Sequence, residues 1–83
     1  MSKRDEFFLA CGEKDVPYAI AKVAWNIFEA AVDGRPHLFP AVTRILDSYG
    51  LKLAKWKPNN NKSIWLLIDK DDELFYYEQG ATL

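Results

Sequence analysis

The stretch Val16–Asp33, VPYAIAKVAWNIFEAAVD, decides how the rest of the chain is arranged. Its polar residues Lys22, Asn26, Glu29 and Asp33 recur at spacings of four, three and four, which draws one narrow stripe on a helix. Almost everything else in it is apolar: Tyr18, Ile20, Val23, Trp25, Ile27, Phe28 and Val32, with alanines between. A helix apolar around more than half its circumference must be packed on more than one side. The boundaries are signalled chemically. Asp15 suits an N-cap, Pro17 suits a first turn, and Gly34 suits the left-handed residue after a helix end.

Working outward, Ser2 can cap a first helix over about Lys3–Cys11, with Asp5 and Glu6 in its opening turn and Gly12 at its end. Phe7, Phe8, Ala10 and Cys11 supply its buried face. Beyond Gly34, Arg35-Pro36 makes a turn. A third helix then starts near Leu38, because Pro40 is tolerated only in a first turn. Leu38, Val42, Ile45 and Tyr49 recur along it at helical spacing until Gly50 stops it.

After Gly50 the period changes to two: Leu51, Leu53 and Lys55 alternate with Lys52, Ala54 and Trp56. Ser63–Ile68 (SIWLLI) and Glu73–Glu78 (ELFYYE) are rich enough in aromatic and branched residues for two more strands. Turn-forming clusters, Lys57–Lys62 and Asp69–Asp72, separate them, and Gly80–Leu83 reads as a loose tail. The expected fold is α+β in a single domain over 1–83. Three N-terminal helices, the central one at about 16–33, precede a three-stranded antiparallel β-meander. One sheet face carries Ile64, Leu66, Ile68, Leu74 and Tyr76, set toward the helices; the opposite face carries Trp65, Leu67, Phe75 and Tyr77 with Trp56 beside them. Both faces are apolar, so alternation alone leaves open which one looks inward.

Eighty-three residues with 49% hydrophobic and 14% aromatic content exclude a disordered chain and point to one small core. A formal charge of −1 lacks the basic excess usual where phosphate contacts dominate binding. The early acids argue against a signal peptide, and Val16–Asp33 is too polar on its stripe to span a membrane. A cytoplasmic location is expected, with no membrane partner. The single cysteine, Cys11, offers neither an internal disulfide nor a cysteine zinc site, and the lone His37 lacks a companion ligand. In Asp69–Glu73 the calcium-loop pattern fails, because Leu74 stands where a glycine is required. We therefore expect no enzyme, no catalytic or metal residues and no cofactor.

Two patterns carry a functional reading. An exposed patch containing Trp65, Phe75 and Tyr77, joined by Trp56, would exceed what a monomer normally shows to water. These four are the expected apolar anchors of a protein-binding surface, with Asp69, Asp71 and Asp72 as its charged rim. The same patch could instead be a homodimer face or be covered by the first helix. Separately, Lys52, Lys55, Lys57 and Lys62 gather beside Trp56 and Trp65, a mixture suited to holding a nucleic-acid backbone and stacking bases. Edge lysines also discourage aggregation.

The run Phe28-Glu29-Ala30-Ala31-Val32-Asp33-Gly34-Arg35-Pro36-His37-Leu38-Phe39 resembles the antidote (antitoxin) proteins of bacterial addiction modules. In that family a helix ends in an acid and Gly, a Pro follows, and Leu-Phe opens the next helix. Ile45-Leu46-Asp47-Ser48-Tyr49-Gly50-Leu51-Lys52-Leu53 is similar to the helix and strand that close the same domain. The family's helix-turn-helix has no counterpart here, and Lys55–Glu78 is unmatched. The resemblance implies a small intracellular regulator without the family's DNA-reading residues. The expected function is regulatory and non-enzymatic, through binding a protein such as a toxin or a nuclease complex. It would be antitoxin-like, or a phage or mobile-element inhibitor of a host defence nuclease (anti-CRISPR type). The alternative is a nucleic-acid-binding transcriptional regulator that uses the basic, Trp-containing hairpin.

Overall fold

The computed structural model describes residues 2–56, 63–69 and 72–79. Three α-helices, α1 (Lys3–Glu13), α2 (Tyr18–Val32) and α3 (Phe39–Asp47), precede three strands, β1 (Lys52–Trp56), β2 (Ser63–Asp69) and β3 (Asp72–Gln79). The strands form one antiparallel sheet in the order β1-β2-β3. The expected α+β order of elements is therefore correct. The expected turn Lys57–Lys62 and the tail Gly80–Leu83 lie outside the described residues.

Helix ends depart from expectation in two places. Ser2 caps α1 as foreseen, its hydroxyl accepting from the Asp5 amide at 3.2 Å. However, α1 runs on through Gly12 to Glu13. The left-handed residue that turns the chain is Asp15, at φ 60°, not a glycine. Asp15 thus serves the end of α1, where its amide donates to the Gly12 carbonyl, and Pro17 takes the N-cap position of α2. A short polar side chain tolerates this conformation better than most. Gly34 (φ 105°) does close α2 as the sequence indicates. A 3-10 turn, Pro36–Leu38, then leads into α3.

Helix α2 sits at the centre of the core. Its stripe Lys22, Asn26, Glu29 and Asp33 is exposed, while Ala21, Ala24, Trp25, Phe28 and Ala31 are buried. The buried alanines let neighbours approach closely, and the two rings project toward the sheet. Phe28 lies edge-on to Trp65, Phe75 and Tyr77, with ring centroids 6.0, 6.4 and 5.5 Å away. Trp25 meets Phe75 and Tyr77 likewise, and Phe7 of α1 completes the group against Trp25 at 5.2 Å and Phe75 at 5.4 Å. Edge-to-face pairs in this distance range add about 0.5–1.5 kcal/mol each beyond their buried area.

These contacts decide which face looks inward, and it is the face of Trp65, Leu67 and Phe75, not the one expected to lie toward the helices. Leu53, Trp65, Leu67 and Phe75 belong to the core cluster, with Tyr77 packed against it. Ile64, Leu66, Ile68 and Tyr76 alternate onto the opposite face and belong to no part of that cluster, while Lys3 of α1 reaches round the β3 edge to the Tyr76 ring, its Nζ 5.3 Å from the centroid. Leu74 is a separate correction. The register shifts between Leu67 and Ile68, so Leu67 opposes Phe75 and Ile68 opposes Glu73. Leu74 is then the extra residue of a bulge, half-buried against the core.

Two outcomes follow for stability. Phe28→Ala should cost about 3–5 kcal/mol in urea unfolding, because one ring touches both helix and sheet partners. Asp15→Gly should be neutral or slightly stabilising. Asp15→Val, β-branched at positive φ, should lose about 1–2 kcal/mol by the same measurement.

Candidate protein-binding surface

The residues expected to anchor a partner do not share an exposed surface. Trp65 is 6% exposed and Phe75 3%, so the structure overturns their reading as surface anchors. Tyr77 is half-buried among Trp25, Phe28 and Phe75. Trp65 stacks on Phe39 at 4.2 Å, and its indole Nε1 is buried without a hydrogen-bond partner among the described residues. Trp56 pairs in register with Ile64, not with Trp65, and its side chain lies outside the described part.

The expected acidic rim is also dispersed. Asp69 is engaged, its carboxylate 2.6 Å from Lys14 Nζ in a half-buried ion pair that ties the end of α1 to the end of β2. Asp72 is exposed, and Asp71 lies outside the described residues. Of the four lysines, Lys57 and Lys62 lie outside as well. Lys52 and Lys55 occupy opposite faces of β1, since each strand position reverses the side chain. Lys55 extends over the Trp65 ring, with Nζ 5.4 Å from its centroid. The two described lysines therefore make no joint phosphate-binding patch.

A different surface takes shape at the junction of α1 and α2. Arg4 and Phe8, four residues apart, lie one turn above the other on α1, with the guanidinium carbon 4.5 Å from the ring centroid. The turn through Asp15 brings Tyr18, the first residue of α2, back over Phe8 at 5.2 Å in a stacked arrangement. Leu9 beside them is 59% exposed and Tyr18 64%. Together with Asp5 these residues line a shallow open cavity of about 470 Å³. Arginine and tyrosine are among the side chains that most often dominate protein interfaces. One signal for this shelf stood in the sequence: Leu9 is the large apolar residue of α1 that its buried face leaves out.

No group of three or more His, Cys, Asp or Glu that could hold a metal ion occurs among the described residues. His37 is exposed in the 3-10 turn. Asn26, Glu29, Asp33 and Tyr77 line another open cavity, of about 540 Å³, where the two carboxylates stand four residues apart on α2. No helix is long and apolar enough to cross a membrane.

The fold and this shelf define a small α+β protein that presents an aromatic–aliphatic helical surface beside a three-stranded sheet. No known protein family, curated protein or solved structure matches the chain.

Cys11 is wholly buried in the core, and that burial pushes its thiol up to about 11. A thiol held above its unfolded value favours the fold at lower pH. That contribution is present in full below the ordinary thiol value and is lost as pH climbs from there toward 11. Native protein at pH 8 should therefore resist a chromogenic disulfide reagent, and unfolding in urea should release one titratable thiol.

Proposed function

We propose that this protein is a non-enzymatic regulator that acts by binding another protein. It would be antitoxin-like, or an inhibitor of a host defence nuclease of the anti-CRISPR kind that phages and mobile elements carry. The observation that supports this reading most is the Arg4–Phe8–Leu9–Tyr18 shelf. Two exposed large apolar residues are held there on rigid helices, next to a stacked guanidinium. Tyr18 stacks on Phe8 yet keeps most of its surface open, as does Leu9, so a partner that covers them gains apolar burial. In this reading the α+β body, its three strands taken as a meander, is a stiff carrier for surface contacts in the cytoplasm. The partner is a protein such as a toxin or a nuclease complex.

Nucleic-acid binding through Lys52, Lys55, Lys57 and Lys62 is the competing idea. The divergence of Lys52 and Lys55 and the burial of Trp65 count against it.

The test uses tagged protein as bait in a bacterial lysate at micromolar concentration. Wild type should retain a partner, and the double change Leu9→Asp with Tyr18→Ala should lose it while circular dichroism stays unchanged. Equal capture by both proteins, or capture of nothing, would sink the proposal. Fluorescence anisotropy with DNA and RNA at low salt should show no binding of the steeply salt-dependent kind.

A further inference from the structure

The face of the sheet turned away from the helices has its own order, which follows from the pairing register. Residues directly opposite in neighbouring strands share a face, so that face is built of rows that cross all three strands. One row reads Lys52, Ile68, Glu73; the next Ala54, Leu66, Tyr76; in the third, Ile64 stands beside Glu78. Down the middle runs an aliphatic strip, Ile68, Leu66 and Ile64, that belongs to no part of the helix-packed core. Ile64 is buried and the other two are half-buried.

The two margins differ in charge. Lys52 lies on the β1 side; the β3 side carries Glu73 and Glu78, with the Lys3 ammonium of α1 standing over the Tyr76 ring, 5.3 Å from its centroid. On the β3 side the Tyr76 hydroxyl donates to Glu78 at 2.7 Å, and Glu78, with a lesser contribution from Glu73, raises the phenol above its ordinary value.

From this pattern we infer that a second copy of the same chain packs on this face. The two sheets would be related by a two-fold axis running along β2. Such a rotation returns β2 onto β2 and lays β1 of each copy over β3 of the other, while every row keeps its place. Leu66 then meets Leu66 at the centre, the small Ala54 meets the large Tyr76, and Lys52 meets Glu73 twice, once on each side of the axis. The other two-fold that brings these faces together runs across the strands. It reverses the rows about Leu66 and sets Glu73 of one copy against Glu78 of the next, a like-charge contact. Charge therefore selects the first axis. The offset of about 30° between packed sheets displaces the corner residues by about 4 Å, which lysine and glutamate side chains can span.

The size of the face sets the strength. Three strands, each crossing the face over five residues, cover about 14 Å by 17 Å, less than a standard interface buries, so the dimer should be weak and transient, forming only at high micromolar concentration. The inference goes beyond the proposed function, because the Leu9–Tyr18 shelf stays free on each copy and the pair becomes bivalent toward a partner.

Sedimentation equilibrium over a range of chain concentrations tests this. The weight-average mass should rise from 9.6 kDa toward twice that value. Leu66→Glu, which places a carboxylate against its own symmetry mate, should hold the protein monomeric with its circular dichroism spectrum unchanged. Lys52→Glu should weaken the dimer about tenfold or more, and adding Glu73→Lys in the same chain should restore it to within about threefold. The charge pair keeps the test decisive even if Leu66→Glu fails to fold. A monomer at every concentration, a dimer indifferent to Leu66→Glu, or a Lys52→Glu defect that Glu73→Lys does not repair would overturn the inference. Leu9→Asp with Tyr18→Ala should leave the dimer intact. Loss of the dimer in that variant would place the self-interface on the helices and overturn it too.

Discussion

Phe28 reaches from the middle of α2 into three rings of the sheet, and most of the architecture depends on that engagement. Its edge-on contacts with Trp65, Phe75 and Tyr77 join β2 and β3 to the helical layer. Phe7 and Trp25 extend the same interlock toward α1. For a chain of 83 residues, such a cluster answers a specific difficulty. Small domains bury too little surface to be stable on aliphatic packing alone, and each aromatic ring removes about 150–250 Å² from water. The aromatic content that stands out in the composition is thus largely consumed by the core.

That consumption redirects the functional reading. Aromatic residues in strands look alike whether they face a helix or a partner. Once Trp65 and Phe75 are accounted for inside, the exposed apolar surface among the described residues lies elsewhere. One is the helical shelf where Arg4, Phe8, Leu9 and Tyr18 converge. The other is the aliphatic strip along the outer side of β2. Both sit on regular elements, which suits them for recognition by shape, since little side-chain freedom remains to be lost on binding.

Local chemistry at the chain turns shows the same interplay at smaller scale. Asp15 has the features of a helix cap and yet adopts a left-handed conformation at the exit of α1. The reason lies in Val16 and Pro17. Val16 is buried, and its amide donates to the Cys11 carbonyl, so the chain must reverse tightly before α2 can begin. The position next to Leu74 is comparable: a bulge shifts the register of β3 and moves one leucine out of its alternation. The bulge leaves no local mark in residue type, and at Asp15 the short polar side chain suits a helix cap as well as a left-handed turn.

By itself the sequence determined the succession of three helices and three strands, because a period of 3.6 and a period of 2 are properties of single segments. It also determined the exposed stripe of α2 and the closing role of Gly34, which rest on residues within one turn of each other. What only the tertiary structure decided was which face of the sheet turns inward, and hence which aromatics are core and which apolar residues remain for contact. Two apolar faces of one sheet are equivalent to any local rule. The choice was made by fit, since Trp25 and Phe28 of the central helix find edge-to-face partners in Trp65, Phe75 and Tyr77.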